Sequence, residues 1–233
     1  MTGIYAVFVG EILIRPLSPS LLKFIDPEKR SRIMNFRRFE DANRTLYADL
    51  LVRSVLSSRT GESPVDLHFA PGPNGKPRLA EPDGKNVPDF NLSHSGEWVV
   101  CGIGDSPIGV DAEEIRAFDP ATADQFFSDG EKDEFSRLAE DRRTDFFYQV
   151  WTLKESYAKA VGLGLGMALG ELSVRLPPAG PPCLLRHGSP VPGAAFQTWR
   201  LDDRHLLSAC SLGESLPDDI VPLPLTALLC YFS

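Results

Sequence analysis

The sequence predicts an α+β fold, and three observations carry that expectation. Strand-sized apolar runs occur in both halves of the chain. A long helical periodicity also occurs in each half, over 39–58 and again over 144–161. Strands come in neighbouring runs separated by turn residues, not one per helix, so the order does not read as a βαβ array.

The elements follow in order. Residues 4–14 open with the apolar run Ile4 to Val9 and read as a strand that Arg15-Pro16 breaks. Ser18-Pro19-Ser20 caps a short helix through Leu22 and Ile25, and Asp26-Pro27-Glu28 starts another with Pro at its first position. From 39 to 58, Phe39, Leu46, Tyr47, Leu50, Leu51 and Val55 keep a helical period, and Gly61 ends it. Residues 71–88 are rich in Pro and Gly and read as loop, with a short strand at Arg78–Leu79. Phe90 to Ser93 reads as a strand end. The runs 98–103 and 108–113 flank Gly104-Asp105-Ser106-Pro107, which is a hairpin signal. Residues 120–140 read as helical, and 144–161 as a stronger helix with Phe147, Val150, Trp151, Ala158 and Val161 on its apolar stripe. Strand-like pieces at 172–176, 195–201 and 206–210 lie among Pro-rich turns, with 177–182 an exposed connector. The apolar run 223–232 reads as an arm that packs on the rest. No internal repeat is visible.

Composition narrows the function. With 42% hydrophobic and 24% charged residues the chain is an ordinary globular one, long enough for one large domain or two small ones. A net charge of −8 argues against general nucleic-acid binding. No apolar run reaches the length that spans a bilayer, and nothing resembles a signal peptide. Cys101, Cys183, Cys210 and Cys230 are far apart and form no metal or disulfide pattern, which points to a reduced, cytoplasmic setting. Against the acidic whole, residues 29–38 carry Lys29, Arg30, Arg32, Arg37 and Arg38 with no acid among them. Such a cluster serves a small anionic ligand or an acidic partner; a solvated helix face reads the same way.

Two segments carry the chemistry. In Gly109-Val110-Asp111-Ala112-Glu113 the carboxylates at i and i+2 share one strand face, while Val110 and Ala112 turn to a core. In Trp151 to Lys159, Glu155 and Lys159 at i and i+4 share one helix face. Asp111, Glu113 and Glu155 can converge on one hard cation with Lys159 beside it. All-oxygen ligands select Mg²⁺, with Mn²⁺ possible, and leave room for a diphosphate. Taken singly, the first pair also describes a solvated strand face and the second a surface ion pair. Ser93-His94 is no nucleophile–base pair, because neighbours on an extended chain point apart, and no GxSxG elbow exists. The loop suits hydrogen bonding to an anion, or holds a structural histidine. Gly75-Lys76-Pro77 offers a close-approach glycine and a lysine for a phosphate. Gly162-x-Gly164-x-Gly166 follows a helix and reads as a helix stop and flexible loop, not as a dinucleotide turn.

The ordered set FNLSHSGEWVV, PIGVDAEE and FFYQVWTLKESYAKAVGLGL resembles the 4′-phosphopantetheinyl transferases of the surfactin-synthetase-activating (Sfp) type. DPEKRSRI, FEDANRTLYADLLVRSVL and NGKPRL extend the likeness through the N-terminal half, and it weakens over the last 60 residues or so. The resemblance implies two similar α+β halves related by a pseudo-twofold axis, here 1–106 and 107–233 with a C-terminal arm. It implies transfer of the phosphopantetheine arm of coenzyme A to a serine of an acyl or peptidyl carrier protein, with adenosine 3′,5′-bisphosphate released. By motif position Asp111, Glu113 and Glu155 become the Mg²⁺ ligands and Lys159 the lysine near the diphosphate. Ser93 and His94 become contacts of coenzyme A, the latter toward its 3′-phosphate. Lys29 and Arg32 match basic residues near that phosphate; the family often has Lys where this chain has Arg32. Lys76 matches a lysine near the nucleotide, and Thr45 a contact in the long helix beside Arg44. For the serine proton Glu155 is the expected acceptor, directly or through water, with Glu113 and solvent hydroxide as alternatives. The expected partners are coenzyme A and carrier proteins, without nucleic acid or membrane, and the chain is expected to act as a monomer.

Overall fold

A computed structural model describes residues 1–80, 87–163 and 168–233. In chain order the elements are β1 (Gly3–Phe8), α1 (Pro19–Leu22), α2 (Pro27–Met34), α3 (Phe39–Thr60), β2 (Phe69–Pro71), β3 (Pro77–Leu79), β4 (Asp89–Ser95), β5 (Trp98–Gly104) and β6 (Ile108–Glu114). Then come α4 (Ala123–Phe126), α5 (Asp129–Arg137), α6 (Glu140–Val161), β7 (Leu172–Arg175), β8 (Cys183–Arg186), β9 (Ser189–Pro190), β10 (Ala194–Asp202), β11 (His205–Leu212), β12 (Val221–Pro222) and α7 (Leu225–Cys230).

The halves repeat one plan. The first runs β1, α3, the β2–β3 hairpin, β4, β5, and its sheet places the last strand centrally in the order β1-β5-β4. The second runs β6, α6, the small β7–β8–β9 sheet, β10, β11, in the matching order β6-β11-β10. Both long helices have 22 residues, and both stop at a left-handed glycine, Gly61 at φ 77° and Gly162 at φ 72°. Each covers its own core. Leu46, Leu50 and Leu51 pack with Val99 and Ile103 in the first, and Val150, Leu153 and Ala158 pack with Phe196 and Cys210 in the second. A third core joins the sheets, built from Ile4, Ala6, Val100, Val110, Ala112 and Leu207.

Several expectations are corrected. The first strand ends at Phe8, and residues 10–12 form a 3₁₀ turn. Buried Asn43 then donates to the carbonyls of Leu13 and Arg15, so the chain after the strand is fixed to α3. The short helix after Pro19 stops at Leu22. The stretch 120–140 is not one helix. Ser128 and Glu131 form a capping box that starts α5 afresh, and α6 begins at Glu140. The expected hairpin does not form: β5 pairs with β1 and β4, while β6 pairs with β11. The two runs stack face to face instead, with Gly102 so close to Val110 that a Cβ there would lie 2.7 Å from Cγ1. The C-terminal arm crosses back as expected of a packing segment. β12 pairs parallel to β1, and Leu228 and Phe232 enter the first core. Part of the loop 71–88 (81–86), and Gly164 and Gly166 of the glycine motif, lie outside the described residues. Among the described residues no helix is long and apolar enough to cross a membrane.

The free edge of β6 is satisfied in an unusual way. Side chains of β4, not its backbone, accept from the β6 amides. Ile108 N–H donates to Asp89 at 2.8 Å, and Val110 to Asn91, Ala112 to Ser93 and Glu114 to Ser95 at 3.0 Å each. The constant spacing of 19 residues means that the two strands run parallel. Two lysines take the carbonyls of the same edge: Lys76 donates to Ile108 at 2.9 Å and Lys159 to Val110 at 3.1 Å. On the opposite side α6 lies against Gly109, where a Cβ would stand 2.0 Å from the Ser156 carbonyl oxygen, so only glycine permits this approach.

Asn91 is buried, and its loss strands the Val110 amide in that seam. Asn91→Ala is expected to lower unfolding free energy by about 1–3 kcal/mol. Urea denaturation checks this; a loss below about 0.5 kcal/mol, the size of an ordinary surface substitution, contradicts the seam's weight.

Candidate active site

The seam delivers Asp111 and Glu113 to one cleft. Alternation on β6 sends Val110 and Ala112 into the third core and the two carboxylates the other way. The face of α6 that carries Glu155 and Lys159 packs over the same strand.

Asp111 is almost fully buried. Its Oδ1 accepts from Lys159 Nζ at 2.7 Å and from Ser93 Oγ at 3.4 Å, and its Oδ2 is buried without a hydrogen-bond partner. Lys159 therefore does not simply pair with Glu155 on its own helix: its ammonium reaches across to Asp111, the Val110 carbonyl and Ser93 Oγ. Glu113 accepts from Ser95 Oγ at 2.9 Å and from Trp151 Nε1 at 3.4 Å. Glu155 is buried beside them, and no hydrogen bond to its carboxylate is found among the described residues.

Burial pushes the Asp111 carboxyl above its ordinary range, against the pull of Lys159 and Ser93. Burial, then the Asp111 charge, raises Glu113, with Ser95 and Trp151 opposing. Burial, then the Asp111 charge, also raises Glu155, and only Lys159 opposes. Three carboxylates, Asp111 and Glu155 buried and Glu113 half-buried, thus repel one another with one ammonium between them. That donor set, all oxygen with an orphaned Asp111 Oδ2, fits a hard divalent cation. It is not a preformed cage: among the described residues no group of His, Cys, Asp or Glu is already spaced to hold a metal ion. Lys159 holds the other Asp111 oxygen, Oδ1.

A cavity of about 370 Å³ adjoins these groups and is lined by Lys29, Arg32, Thr45, Ser93, His94, Asp111, Glu113 and Lys159. Residues from α2, α3, β4, β6 and α6 therefore meet at one place. His94 stands at the rim, where partial desolvation first, then the charges of Arg44 and Lys159, hold its pKa below the usual histidine value. Thr45 Oγ1 donates to the Asp41 carbonyl of its own helix at 2.9 Å. Lys29 pairs with buried Asp49. Lys76 stays apart. Its ammonium is bonded to Asp89 and the Ile108 carbonyl in the seam, while its neighbours Gly75 and Pro77 line a second cavity with Lys29 and Arg32.

Sequence reasoning missed three contributors. Ser95 and Trp151 hold Glu113, although Trp151 reads as part of an apolar stripe. Asn91, Ser93 and Ser95 form a polar alternation on β4, a period-2 signal that was present in the sequence.

The chain is similar to known proteins. Residues 18–103 match the family model "4'-phosphopantetheinyl transferase, N-terminal", and 107–210 match the "4'-phosphopantetheinyl transferase superfamily". The 4′-phosphopantetheinyl transferase Sfp of Bacillus subtilis (strain 168) is 35% identical over 228 residues, covering 97% of this chain and 99% of its own. The 4′-phosphopantetheinyl transferase psf-1 of Bacillus pumilus is 33% identical, covering 82% and 80%. A crystal structure of a holo-(acyl-carrier-protein) synthase from Bacillus anthracis str. Ames, in complex with CoA (3',5'-ADP), covers 46% of this chain and 95% of its own at a TM-score of 0.39 and 20% identity. The chain therefore belongs to the Sfp-type 4′-phosphopantetheinyl transferases.

The raised carboxylates give a pH test. A group whose folded pKa is raised favours the fold below the ordinary carboxylate range, and that contribution is lost as pH rises through the raised value. In the metal-free protein, Glu155→Gln is expected to match the wild type near pH ~4 and to be the more stable of the two near pH ~8. Urea unfolding in a chelator measures both; a variant less stable than wild type at the higher pH contradicts the repulsion.

Proposed function

We propose that this enzyme transfers the 4′-phosphopantetheine group of coenzyme A to a serine of an acyl or peptidyl carrier protein, with Mg²⁺ as cofactor and adenosine 3′,5′-bisphosphate as second product. The observation that carries the reading is the single cleft where the Asp111, Glu113, Glu155 and Lys159 cluster adjoins Lys29, Arg32 and His94. Coenzyme A has the matching form, a diphosphate for the first group and a 3′-phosphate for the second.

Asp111, Glu113 and Glu155 would hold the cation. Bound there, Mg²⁺ supplies charge neutralisation and orientation at the diphosphate. The chain's own groups do the rest. Lys29 and Arg32 fix the far phosphate, so the diphosphate is positioned before reaction. The carrier serine oxygen bonds to the β-phosphorus, and the bond from that phosphorus to the leaving bisphosphate oxygen breaks. Lys159 stabilises the charge that grows on the leaving group. The serine proton goes to Glu155. Among the three carboxylates Glu155 suits this best: Asp111 is bonded to Lys159 and Glu113 to Ser95 and Trp151, while no hydrogen bond engages the Glu155 carboxylate among the described residues. The proposed setting is the cytoplasm, with the enzyme acting on its carriers as a monomer.

Incubation with coenzyme A, Mg²⁺ and an apo-carrier is expected to add about 340 Da to the carrier, the mass of the transferred group. A chelator abolishes the gain and added Mg²⁺ or Mn²⁺ restores it. No gain across fatty-acid, polyketide and peptide-synthetase carriers refutes the transfer. Glu155→Gln is expected to lower kcat by about 10²-fold or more while coenzyme A affinity changes far less; unchanged turnover removes Glu155 as the base.

A further inference from the structure

Beneath the cavity that Gly75 and Pro77 line lies a buried layer of charge that the transfer itself does not use. Asp49 has no exposed side-chain surface and Arg53 only 1%. Arg53 Nε donates to Asp49 Oδ1 and Nη2 to Asp26 Oδ2, both at 2.6 Å. Its Nη1 donates to the carbonyls of Pro64 at 2.8 Å and Leu67 at 2.7 Å. Its guanidinium also lies over the Phe69 ring, 4.9 Å from the centroid. The other oxygen of Asp49 pairs with Lys29. One guanidinium thus fixes the start of α2, the loop before β2 and the Phe69 wall of the cavity.

The charges decide what this layer does. The cavity, about 280 Å³, is lined by Asp26, Glu28, Lys29 and Arg32 among others. With Asp49 and Arg53 behind it, three carboxylates face three cations. Without Arg53 the carboxylates outnumber the cations, and Asp49 would claim Lys29 entirely. Such a wall repels a phosphate. With Arg53 in place, Lys29 and Arg32 keep their attraction for an anion while Lys29 is held at the cavity by its bond to Asp49. Removal of bulk water strengthens this balance, because the effective dielectric is lower beneath the wall than above it.

We propose that Arg53 and Asp49 are positioning residues that set the enzyme's preference for coenzyme A over the same molecule lacking its 3′-phosphate. The proposal rests on the reading that Lys29 and Arg32 receive that phosphate. It is an electrostatic claim, so the two residues act with opposite sign. A purely structural role would weaken both ligands alike.

Titration calorimetry of the full chain at low salt, with coenzyme A and with 3′-dephospho-coenzyme A, tests it. Arg53→Met is expected to weaken coenzyme A about tenfold or more and the dephospho form by less than about threefold. Asp49→Asn is expected to shift the ratio of the two affinities the other way, toward coenzyme A. Where Arg53→Met does not fold, Asp49→Asn alone reads the same field. Equal losses for both ligands, or shifts of the same direction in the two variants, overturn the proposal. Lys29→Ala separates it from the reading beneath. If Lys29→Ala leaves the ratio at its wild-type value, the phosphate lies elsewhere and both fall. If it lowers the ratio while Arg53→Met and Asp49→Asn do not move it, the proposal alone fails.

Discussion

The side-chain seam between β4 and β6 is the constraint on which the rest of the structure depends. A sheet edge left with unpaired amides inside a protein costs each amide its hydrogen bond to water. Here Asp89, Asn91, Ser93 and Ser95 satisfy that edge. Because side chains and not a backbone ladder do so, the halves meet without fusing into one continuous sheet, and a cleft opens along their junction. The same residues serve the site. Ser93 accepts from the Ala112 amide and contacts Asp111, and Ser95 accepts from the Glu114 amide and holds Glu113. The bonds that join the halves thereby also aim the carboxylates.

The cost of this arrangement lies in the carboxylates. Asp111, Glu113 and Glu155 are drawn out of water and toward one another, and each is raised in pKa by burial first. Lys159 is the cation that pulls all three back down, and Ser93, Ser95 and Trp151 add hydrogen bonds to two of them. Strain of this kind concentrates at functional sites, where a bound partner relieves it. A divalent cation beside a diphosphate would do so by replacing repulsion with shared coordination, leaving Lys159 free to turn to the phosphates. Elsewhere the molecule keeps its buried charges paired. Lys154 Nζ contacts Glu131 at 2.6 Å and the carbonyls of Phe126 and Leu169, and so fixes the middle of α6, one residue before Glu155, to three other segments.

Much of the site was legible in the sequence because it follows the periods of single elements. Asp111 and Glu113 alternate on one strand, and Glu155 and Lys159 lie one turn apart on one helix. What joined them was not legible. The turn residues 104–107 suggest a hairpin, and nothing local reveals that each strand finds a better neighbour elsewhere, β11 for one and β1 and β4 for the other. The repeat of the halves lies in strand order and helix length, not in residue identity, so it is invisible by eye in the sequence. Lys76 shows the limit of reading a motif alone: Gly75-Lys76-Pro77 suggests a free ammonium, but Asp89 and the Ile108 carbonyl claim it. Arg53 passes as one more polar residue of a helix, since three of its four hydrogen bonds go to segments far apart in the chain.

The claim that the seam presents Asp111 and Glu113, with Glu155, to one cation at a diphosphate is tested most directly by a crystal structure with coenzyme A and Mn²⁺, using the anomalous signal of the metal. The account predicts one metal peak among those three carboxylates and the diphosphate oxygens, with Lys159 displaced from Asp111 onto phosphate. A metal bound elsewhere, with the Lys159–Asp111 bond intact and coenzyme A in place, would contradict it.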